Sequence, residues 1–247
     1  MRDETSTAIR LDAVQLTLGQ SEFHFDFGLD AGKITCIVGP SGSGKSTLLN
    51  LVSGFEQPET GRIKIADRDV TDLAPAERPV SLVFQDNNLF AHLDLFTNIG
   101  LGIHPGMRLT SADRKAISAA LDRVGLAGYE RRLPGSLSGG ERQRAAFARA
   151  LVRSRPILLL DEPFAALDPG LRSAMVDLLA ELHAETSATI LLVTHDPRDV
   201  LRLAHHVVFL ENGHVVVNAS KSDFLARTDV TAVRDFLGTT AIAPQSP

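Results

Sequence analysis

One stretch, Ile34–Thr47, restricts the fold of this chain more than any other, and it reads ITCIVGPSGSGKST. The apolar run Ile34–Val38 predicts a short buried strand, and the apolar residues after Thr47 predict a helix that ends at Gly54. Between them lies a loop with three glycines, which let backbone N–H groups turn inward without a Cβ in the way. A strand, a glycine-rich loop and a helix in this order predict an α/β core with a cradle for a polyphosphate.

The loop also has the donors that a nucleotide and its Mg²⁺ require. Its backbone N–H groups and the positive end of the next helix attract phosphate. The Lys45 ammonium can reach the β- and γ-phosphates, and the Ser46 hydroxyl can ligate Mg²⁺. A glycine-rich turn without a ligand is the alternative, which the flanking strand and helix disfavour. The predicted nucleotide-binding residues are Gly39, Pro40, Ser41, Gly42, Ser43, Gly44, Lys45, Ser46 and Thr47.

Composition excludes several other classes of protein. The 247 residues include 30 acidic and 25 basic ones, so the net charge of −5 gives no electrostatic reason to bind nucleic acid. The single cysteine, Cys36, lies in the predicted buried strand, and the resulting lack of a disulfide framework fits a reducing cytosol. No signal peptide is evident, and no apolar run reaches the ~20 residues that span a bilayer. We therefore expect a protein that is soluble by itself and reaches a membrane only through a partner.

Hydrophobic periodicity places strands and helices along the rest of the chain. Alternation over Ile9–Asp30 predicts antiparallel strands, and further strands are predicted at Thr60–Ile65 and Ser81–Phe84. The residues that follow predict a largely helical insertion. Two of its helices begin with capping boxes, in which a hydroxyl and a carboxylate bond reciprocally to backbone N–H groups. The boxes are Thr110 with Asp113 and Ser138 with Glu141.

The α/β pattern resumes after this insertion. Ile157–Leu160 and Thr189–Val193 predict buried strands, separated by a helix that starts at Pro169. Asn212-Gly213 between two apolar runs predicts a hairpin, and two short helices follow it. We expect one domain over residues 1–240. Its predicted parts are a core of about 1–85 and 154–220 and a helical subdomain of about 86–153, with a disordered tail at 241–247.

Acidic and polar residues follow three of the predicted strands, at the edge where parallel α/β sheets bind ligands. Asp161 and Glu162 come directly after Ile157–Leu160. Asp161 is suited to hold Mg²⁺, and Glu162 is suited to polarise an attacking water. Gln85 and His195 each stand just beyond a short apolar strand, where Gln85 can ligate the metal or contact the water and His195 can hydrogen-bond the γ-phosphate. The alternatives are a solvated acidic pair and a structural histidine.

The sequence LSGGERQR, at Leu137–Arg144, resembles the signature of the ATP-binding-cassette (ABC) ATPases. It precedes the strand of the paired carboxylates by one short helix, as in that family. The other landmarks stand in the family's order over about residues 10 to 220, so the chain is identified as a member. Membership implies an α/β P-loop NTPase core with an antiparallel β subdomain and a helical signature subdomain. The landmarks are the phosphate loop Gly39–Thr47, Gln85, Asp161-Glu162, Ala166-Leu167-Asp168 and His195.

The signature adds a second place for phosphate. Ser138 caps a helix whose first N–H groups, with those of Gly139 and Gly140, form an anion cradle. The resemblance implies that this cradle, together with Glu141, faces the γ-phosphate bound by another subunit, so that a homodimer encloses two ATP molecules. It also implies that Asp168 communicates across the interface, and that ATP with Mg²⁺ is hydrolysed to ADP and phosphate.

One landmark of the family is missing. ABC ATPases usually stack adenine on an aromatic residue of the N-terminal sheet, and that position falls near Leu18-Gly19 in this chain. Either Phe23 or Phe25 substitutes for it, or both belong to the strand core. The resemblance therefore implies phosphate binding more firmly than base recognition, and the contact with adenine stays open.

Three function classes share a phosphate loop: transporter subunits, soluble ABC ATPases that act on DNA or ribosomes, and P-loop kinases or GTPases. The signature helix and the lack of a guanine-reading N-K-x-D motif exclude the third class. The second class usually has a coiled-coil insertion, a zinc hook or two cassettes, and an acidic chain offers no footprint for a phosphate backbone. The first class fits a single cassette of this size. It implies two membrane-spanning permease subunits, a periplasmic solute-binding protein and a place on the cytoplasmic face of the bacterial inner membrane.

The segment Arg78–Leu109 is similar to the corresponding segment of the ATP-binding subunits of bacterial thiamine importers. Asn87–Phe90 and Gly102–Gly106 are its most particular parts. In this family the residues after Gln85 contact the permease, so the sequence of this segment indicates which permease the cassette binds. Because the cassette never touches the solute, thiamine or a thiamine phosphate is an inference by analogy. Importers for polyamines, ferric iron, sulfate or molybdate share much of the pattern and stay open as alternatives.

Overall fold

The computed structural model describes residues 6–83, 88–153, 155–165, 167–227 and 229–238. Within these ranges lie ten β-strands and eight α-helices. The strands are β1 (Thr7–Leu18), β2 (Ser21–Asp30), β3 (Ile34–Val38), β4 (Thr60–Ile65), β5 (Arg68–Asp69), β6 (Val80–Val83), β7 (Ile157–Asp161), β8 (Thr189–Val193), β9 (His206–Glu211) and β10 (His214–Ser220). The helices are α1 (Lys45–Ser53), α2 (Leu95–Ile103), α3 (Ser111–Arg123), α4 (Gly139–Val152), α5 (Pro169–Thr186), α6 (Pro197–Leu203), α7 (Lys221–Ala226) and α8 (Thr231–Gly238).

The chain divides into two compact units, Met1–Pro79 with Ser187–Pro247 and Val80–Thr186. In the first unit the strands lie side by side in the order β5-β4-β1-β2-β10-β9-β3-β8. β1 and β2 are antiparallel and their buried residues alternate with more exposed ones, which confirms the strands predicted over Ile9–Asp30. Because β4 pairs antiparallel with β1 on its other side, this part of the unit is the predicted antiparallel sheet.

The parallel part of the first unit determines where the phosphate loop begins. All five residues of β3 are buried, and the strand pairs in parallel with β9 on one side and with β8 on the other. Ile37 pairs with Val193, and Val38 pairs with Phe209. The loop after Val38 and the turn after Val193 therefore leave the same edge of the sheet, which is the edge where parallel sheets bind ligands.

The hairpin predicted at Asn212-Gly213 is confirmed, since β9 and β10 pair from Glu211 and His214 outward. Asn212 has φ 48° and Gly213 has φ 80°, as a two-residue turn between right-twisted strands requires. The hairpin also reaches β2, where the rings of His214 and His24 stack with their centroids 4.9 Å apart. It therefore joins the antiparallel part of the first unit to the parallel part.

The second unit combines a parallel strand pair with helices. β6 and β7 run in register from Val80 with Ile157 to Val83 with Leu160. Both predicted capping boxes are formed, one at the start of α3 and the other at the start of α4. Among the residues described, none of the helices combines the length and the apolar character that a membrane span needs.

Candidate active site

The phosphate loop after β3 takes a backbone shape that requires glycine at two positions. Gly39 has φ 144°, and a Cβ there would lie 2.0 Å from the carbonyl oxygen of Leu210 on β9. Gly44, the residue before α1, has φ 101°, and a Cβ there would lie 2.7 Å from the ring of Phe23. Larger side chains are therefore excluded at both ends of the loop, which keeps its backbone open to a ligand.

The side chains inside the loop suit a polyphosphate. The Lys45 side chain is only 9% exposed, and its ammonium donates to the carbonyl oxygens of Gly39 and Pro40 at 2.9 and 2.7 Å. The hydroxyl of Ser43 is buried and has no hydrogen-bond partner among the described residues. A buried hydroxyl without a partner is costly, and a phosphate oxygen is the acceptor that would satisfy it. The loop therefore fits the ligand that its sequence predicts.

The start of α1 supplies further donors and a hydroxyl for a cation. The first N–H groups of a helix have no intrahelical partner, and they point along the axis toward the loop. Ser46 lies exposed in the first turn, and Thr47 beside it is half-buried. A hydroxyl oxygen next to bound phosphate oxygens is the hard oxygen donor set that Mg²⁺ prefers, so the residues present fit this ion. Pro40, Ser41 and Gly42 form the exposed outer part of the loop.

The hairpin β9–β10 supports the loop from one side. The Gly213 N–H donates to the Ser43 carbonyl at 3.2 Å, and the His24 N–H donates to the Gly213 carbonyl at 2.9 Å. Next to these bonds lies a cavity of about 390 Å³, which reaches Gly42. Most of the surface that lines this cavity is polar. The lining residues are Gln20, Ser21, Glu22, Phe23, Gly42, Asn212, Gly213 and His214.

The aromatic residues proposed as substitutes for a base-stacking residue lie in the core. Phe23 is 6% exposed and Phe25 is 1% exposed, so neither ring presents a free face to a base. This burial supports the strand-core alternative for both. Leu18, at the position where an aromatic was expected, is 38% exposed. The apolar surface available near the end of β1 is therefore aliphatic.

His195 lies on a turn that is held by a network of hydrogen bonds. The Thr194 N–H donates to the Ile37 carbonyl at 3.2 Å, which ties the turn to β3 just before the phosphate loop. The Thr194 hydroxyl donates to the Asp199 carboxylate at 2.5 Å and accepts the Asp196 N–H at 3.1 Å. Thr194, Asp196 and Asp199 are buried, whereas His195 is exposed. The structure therefore brings His195 and the phosphate loop to the same edge of the first unit.

In the second unit, the paired carboxylates stand where β7 ends. Asp161 is the last residue of the strand, and Glu162 has φ 46°, in the left-handed region that non-glycine residues rarely adopt. The Glu162 carbonyl accepts the Ala165 N–H and the side-chain amide of Gln143 on α4, both at 3.2 Å. Sequence reasoning missed this contact, because it gave roles to Ser138–Glu141 of the signature and none to Gln143.

The signature residues lie at the start of α4. The Ser138 hydroxyl accepts the Glu141 N–H at 3.2 Å, and the Glu141 carboxylate accepts the Ser138 N–H at 2.7 Å. Bonds from the Ser138 backbone and side chain hold the pKa of the Glu141 carboxyl below its usual range. Gly139 and Gly140 form the first turn and are half-buried. The predicted cap is confirmed, with its N–H groups at an accessible helix end.

Asp168 and Gln85 are the remaining predicted site residues. Asp168 is exposed, and its carboxylate accepts the Leu171 N–H at 3.0 Å at the start of α5. Gln85 lies outside the described residues, between β6 and the segment that begins at Asn88. The structure thus groups His195 with the phosphate loop in one unit. In the other unit it groups Glu162 with the signature helix.

Comparison with known sequences identifies the family. A profile of the family described as ABC transporter matches residues 23–165. The thiamine import ATP-binding protein ThiQ of Mesorhizobium japonicum is 55% identical over 233 residues, which cover 94% of this chain and 92% of that protein. The protein of the same name from Rhizobium meliloti is 53% identical over 234 residues, which cover 95% of this chain and 98% of that protein.

Solved structures agree with the α/β fold expected from the phosphate loop and the signature. The dimeric ATP-binding cassette MJ0796 bound to ADP and Pi is 30% identical and superposes with a TM-score of 0.77, over 86% of this chain and 98% of that one. A nucleotide-free cassette from an ABC transporter has a TM-score of 0.81 over 92% and 98% of the two chains, and at 24% identity it supports the fold alone. The chain therefore belongs to the ABC transporter family, as one of its ATP-binding, ATP-hydrolysing cassettes.

Proposed function

We propose that this cassette is the ATP-hydrolysing subunit of a bacterial importer for thiamine or thiamine phosphates. The assignment of thiamine as the solute rests on the identity of 55% and 53%, over 94% and 95% of the chain, to proteins named for thiamine import. A cassette does not contact the solute. Identity between cassettes would therefore preserve the choice of the permease that the cassette binds, and through the permease the solute. We place the subunit on the cytoplasmic face of the inner membrane, bound to two permeases that receive solute from a periplasmic binding protein.

Each predicted residue takes a distinct role in ATP hydrolysis. The N–H groups of Gly39–Thr47 and the Lys45 ammonium bind the phosphates, and the buried Ser43 hydroxyl adds a donor. Ser46, Gln85 and Asp161 hold Mg²⁺, which neutralises phosphate charge when it is bound. Glu162 takes the proton of the attacking water as a general base. Gln85 and His195 hydrogen-bond the water and the γ-phosphate, respectively.

Two copies of the chain form the working unit in this proposal. The cradle at Ser138–Gly140, with Glu141 beside it, receives the γ-phosphate bound by the phosphate loop of the other copy. ATP is then part of the interface, and its hydrolysis weakens the dimer. Asp168 contacts the other copy and reports the state of its site. The dimeric state of MJ0796 supports this arrangement by analogy.

Replacement of Glu162 tests the hydrolytic role. We expect Glu162→Gln to retain binding of a fluorescent ATP analogue and to lower steady-state hydrolysis by about 10²–10⁴-fold, the range for loss of a general base. Glu181→Gln, the same change at an exposed position of α5, is the matched control and should hydrolyse normally. Near-normal hydrolysis by Glu162→Gln would remove Glu162 from the mechanism.

Mixed dimers test whether the signature acts on the other copy. Chains defective at Lys45 and chains defective at Ser138 should each be inactive alone. If Ser138 acts in trans, a dimer of one chain of each kind keeps one intact composite site and recovers part of the activity. If the mixture is as inactive as its parents, each signature serves its own chain.

Uptake of radiolabelled thiamine tests the solute. The cassette is expressed with a thiamine permease and its periplasmic binding protein, in cells that lack their own thiamine importer. We expect uptake with the wild-type cassette and none with Lys45→Ala. Absence of thiamine uptake with the wild-type cassette, together with Lys45-dependent uptake of labelled polyamine, ferric iron, sulfate or molybdate, would assign the importer to another solute.

A further inference from the structure

Gln143 occupies a position where a polar side chain is unexpected. It is 3% exposed on α4, and the other buried residues of this helix, Ala145–Ala148 and Ala150, are all apolar. Its side-chain N–H donates to the Glu162 carbonyl at 3.2 Å. Its side-chain oxygen is also buried and has no hydrogen-bond partner among the described residues. An apolar residue of similar size would avoid the cost of that orphaned oxygen, so packing alone does not account for glutamine here.

The partner of Gln143 is itself in an unfavourable conformation. Glu162 has φ 46°, a region that costs energy for any residue with a Cβ and that persists only where surrounding contacts enforce it. Its carbonyl accepts the Ala165 N–H, from its own turn, and the Gln143 amide, from another element. Because the carbonyl orientation fixes ψ of Glu162 and the course of the chain after β7, the amide bond restrains the residue's backbone from outside its turn.

Helix α4 connects the signature cap at Ser138 to the contact between Gln143 and Glu162. α4 begins at Gly139, directly after Ser138, and Gln143 lies just beyond its first turn. The helix is therefore a short rigid connection between the cap that we propose to receive phosphate and the backbone of the residue that we propose as the general base. A rotation or shift of α4 moves the Cα of Gln143 and with it the donor that the Glu162 carbonyl accepts.

We propose that Gln143 is a positioning residue that holds the Glu162 backbone, and through it the carboxylate, in the orientation needed for hydrolysis. This inference rests on the proposed role of Glu162 as general base. Gln143 contacts neither nucleotide nor water in this proposal and acts only through Glu162. Binding of phosphate at the start of α4 then adjusts the general base through the same helix.

The variant Gln143→Met removes the amide and keeps the length and volume of the side chain. We expect kcat for ATP hydrolysis to fall on the order of 10–100-fold, the effect of a slightly misplaced catalytic group. We expect KM for ATP and the affinity for a fluorescent ATP analogue to stay within about twofold, because the phosphate loop is untouched. Resistance to urea should change little, because the Glu162 carbonyl keeps the Ala165 N–H as a donor and the variant also removes the orphaned oxygen.

The variant Gln143→Glu provides a conservative rescue that depends on pH. Only a protonated carboxyl can donate to the Glu162 carbonyl, so the activity of this variant relative to wild type should rise as the pH is lowered. The relative activity of Gln143→Met should show no such rise. This comparison also keeps the inference testable should Gln143→Met fail to fold.

A double-mutant cycle with Glu162→Gln separates positioning from general packing. If Gln143 acts only through Glu162, Gln143→Met should have no further effect on single-turnover hydrolysis in the Glu162→Gln background. An equal loss in both backgrounds, or an unchanged kcat in Gln143→Met alone, would overturn the inference and leave the role of Glu162 intact. Normal hydrolysis by Glu162→Gln would instead overturn the proposed function on which it rests.

Discussion

The Thr194 hydroxyl donates a hydrogen bond to the buried carboxylate of Asp199, 2.5 Å away. The same hydroxyl accepts the Asp196 N–H, so one side chain fixes both ends of the turn that carries His195. Thr194 is also joined to β3 through its backbone N–H. The exposed histidine thus stands between Thr194 and Asp196, which are both buried and hydrogen-bonded, and this support suits the contact with the γ-phosphate that we propose for His195.

We predict that Thr194→Val lowers the free energy of unfolding by about 1–3 kcal/mol, because a buried carboxylate loses a donor and a buried N–H loses an acceptor. Valine has nearly the shape of threonine, so the loss reports hydrogen bonding rather than volume. Urea unfolding measures it. Thr194→Ser keeps the hydroxyl and should recover most of the stability; equal stability of Thr194→Val and wild type would contradict the assigned bonds.

We predict that Arg78→Met lowers the free energy of unfolding by about 3 kcal/mol. The Arg78 side chain is fully buried, and its guanidinium donates to four carbonyls, including those of Leu51 and Val52 in the last turn of α1. The variant leaves those carbonyls without their donor. Arg62→Met is the matched control: its guanidinium pairs with Asp69 at 2.6 Å but is 66% exposed, so the cost should stay below about 1 kcal/mol.

Two glycines of the phosphate loop provide a paired test of steric restriction. Both have positive φ, 77° at Gly42 and 101° at Gly44, but a Cβ at Gly42 meets nothing within 4 Å. We expect Gly42→Ala to cost about 1–2 kcal/mol in unfolding free energy, from backbone strain alone. Gly44→Ala should cost about 1–3 kcal/mol more, from the clash with Phe23.

The size of that clash can be tested separately from the strain. Because the Phe23 ring is buried, it cannot swing away from a new methyl group. Phe23→Leu introduced into Gly44→Ala should therefore return part of the lost stability, although the same change lowers the stability of wild type. Thermal unfolding without nucleotide measures all five proteins: wild type, Gly42→Ala, Gly44→Ala, Phe23→Leu and the double variant. Equal losses in the two alanine variants would show that Phe23 does not restrict the loop.

The cap of α4 predicts a dependence of stability on pH. The Ser138 N–H and hydroxyl lower the pKa of the Glu141 carboxyl. A carboxyl whose pKa is lower in the folded than in the unfolded state stabilises the fold above its unfolded pKa, and this contribution disappears as the pH falls through the folded pKa. We expect Glu141→Gln, which keeps an acceptor for the cap without a titrating group, to lose less stability than wild type between about pH 6 and pH 3. Urea unfolding across that range measures the difference, and parallel curves would contradict it.

Sequence patterns that relate residues a few positions apart predicted several features of this fold. The phosphate loop, both capping boxes and the Asn212-Gly213 turn depend on residues a few positions apart, and the structure confirms them. The sequence analysis did not predict α2, α6 or β5 individually. β5 has only two residues and exists because β4 offers it a partner, and α6 has seven residues held at their start by Asp196. The boundaries of the helical subdomain near 86 and 153 remain a prediction.

The site was predictable as a set of residue types and not as a set of contacts. The sequence pattern predicts Asp161, Glu162 and His195 as site residues because each follows an apolar run, and the structure places them at strand ends. The left-handed backbone of Glu162 was not predictable, since no glycine or asparagine marks the position. The bonds that join Gln143 to Glu162 and Thr194 to Asp199 depend on packing that no spacing rule encodes.

The bond from Gly213 to Ser43 joins residues that leave the ribosome far apart in time. The phosphate loop is synthesised well before the hairpin that supports it. A nascent chain or a truncated product that ends before β9 lacks this support, as well as Leu210, whose carbonyl borders Gly39. We therefore expect chains that stop before this hairpin to bind nucleotide more weakly than chains that contain it.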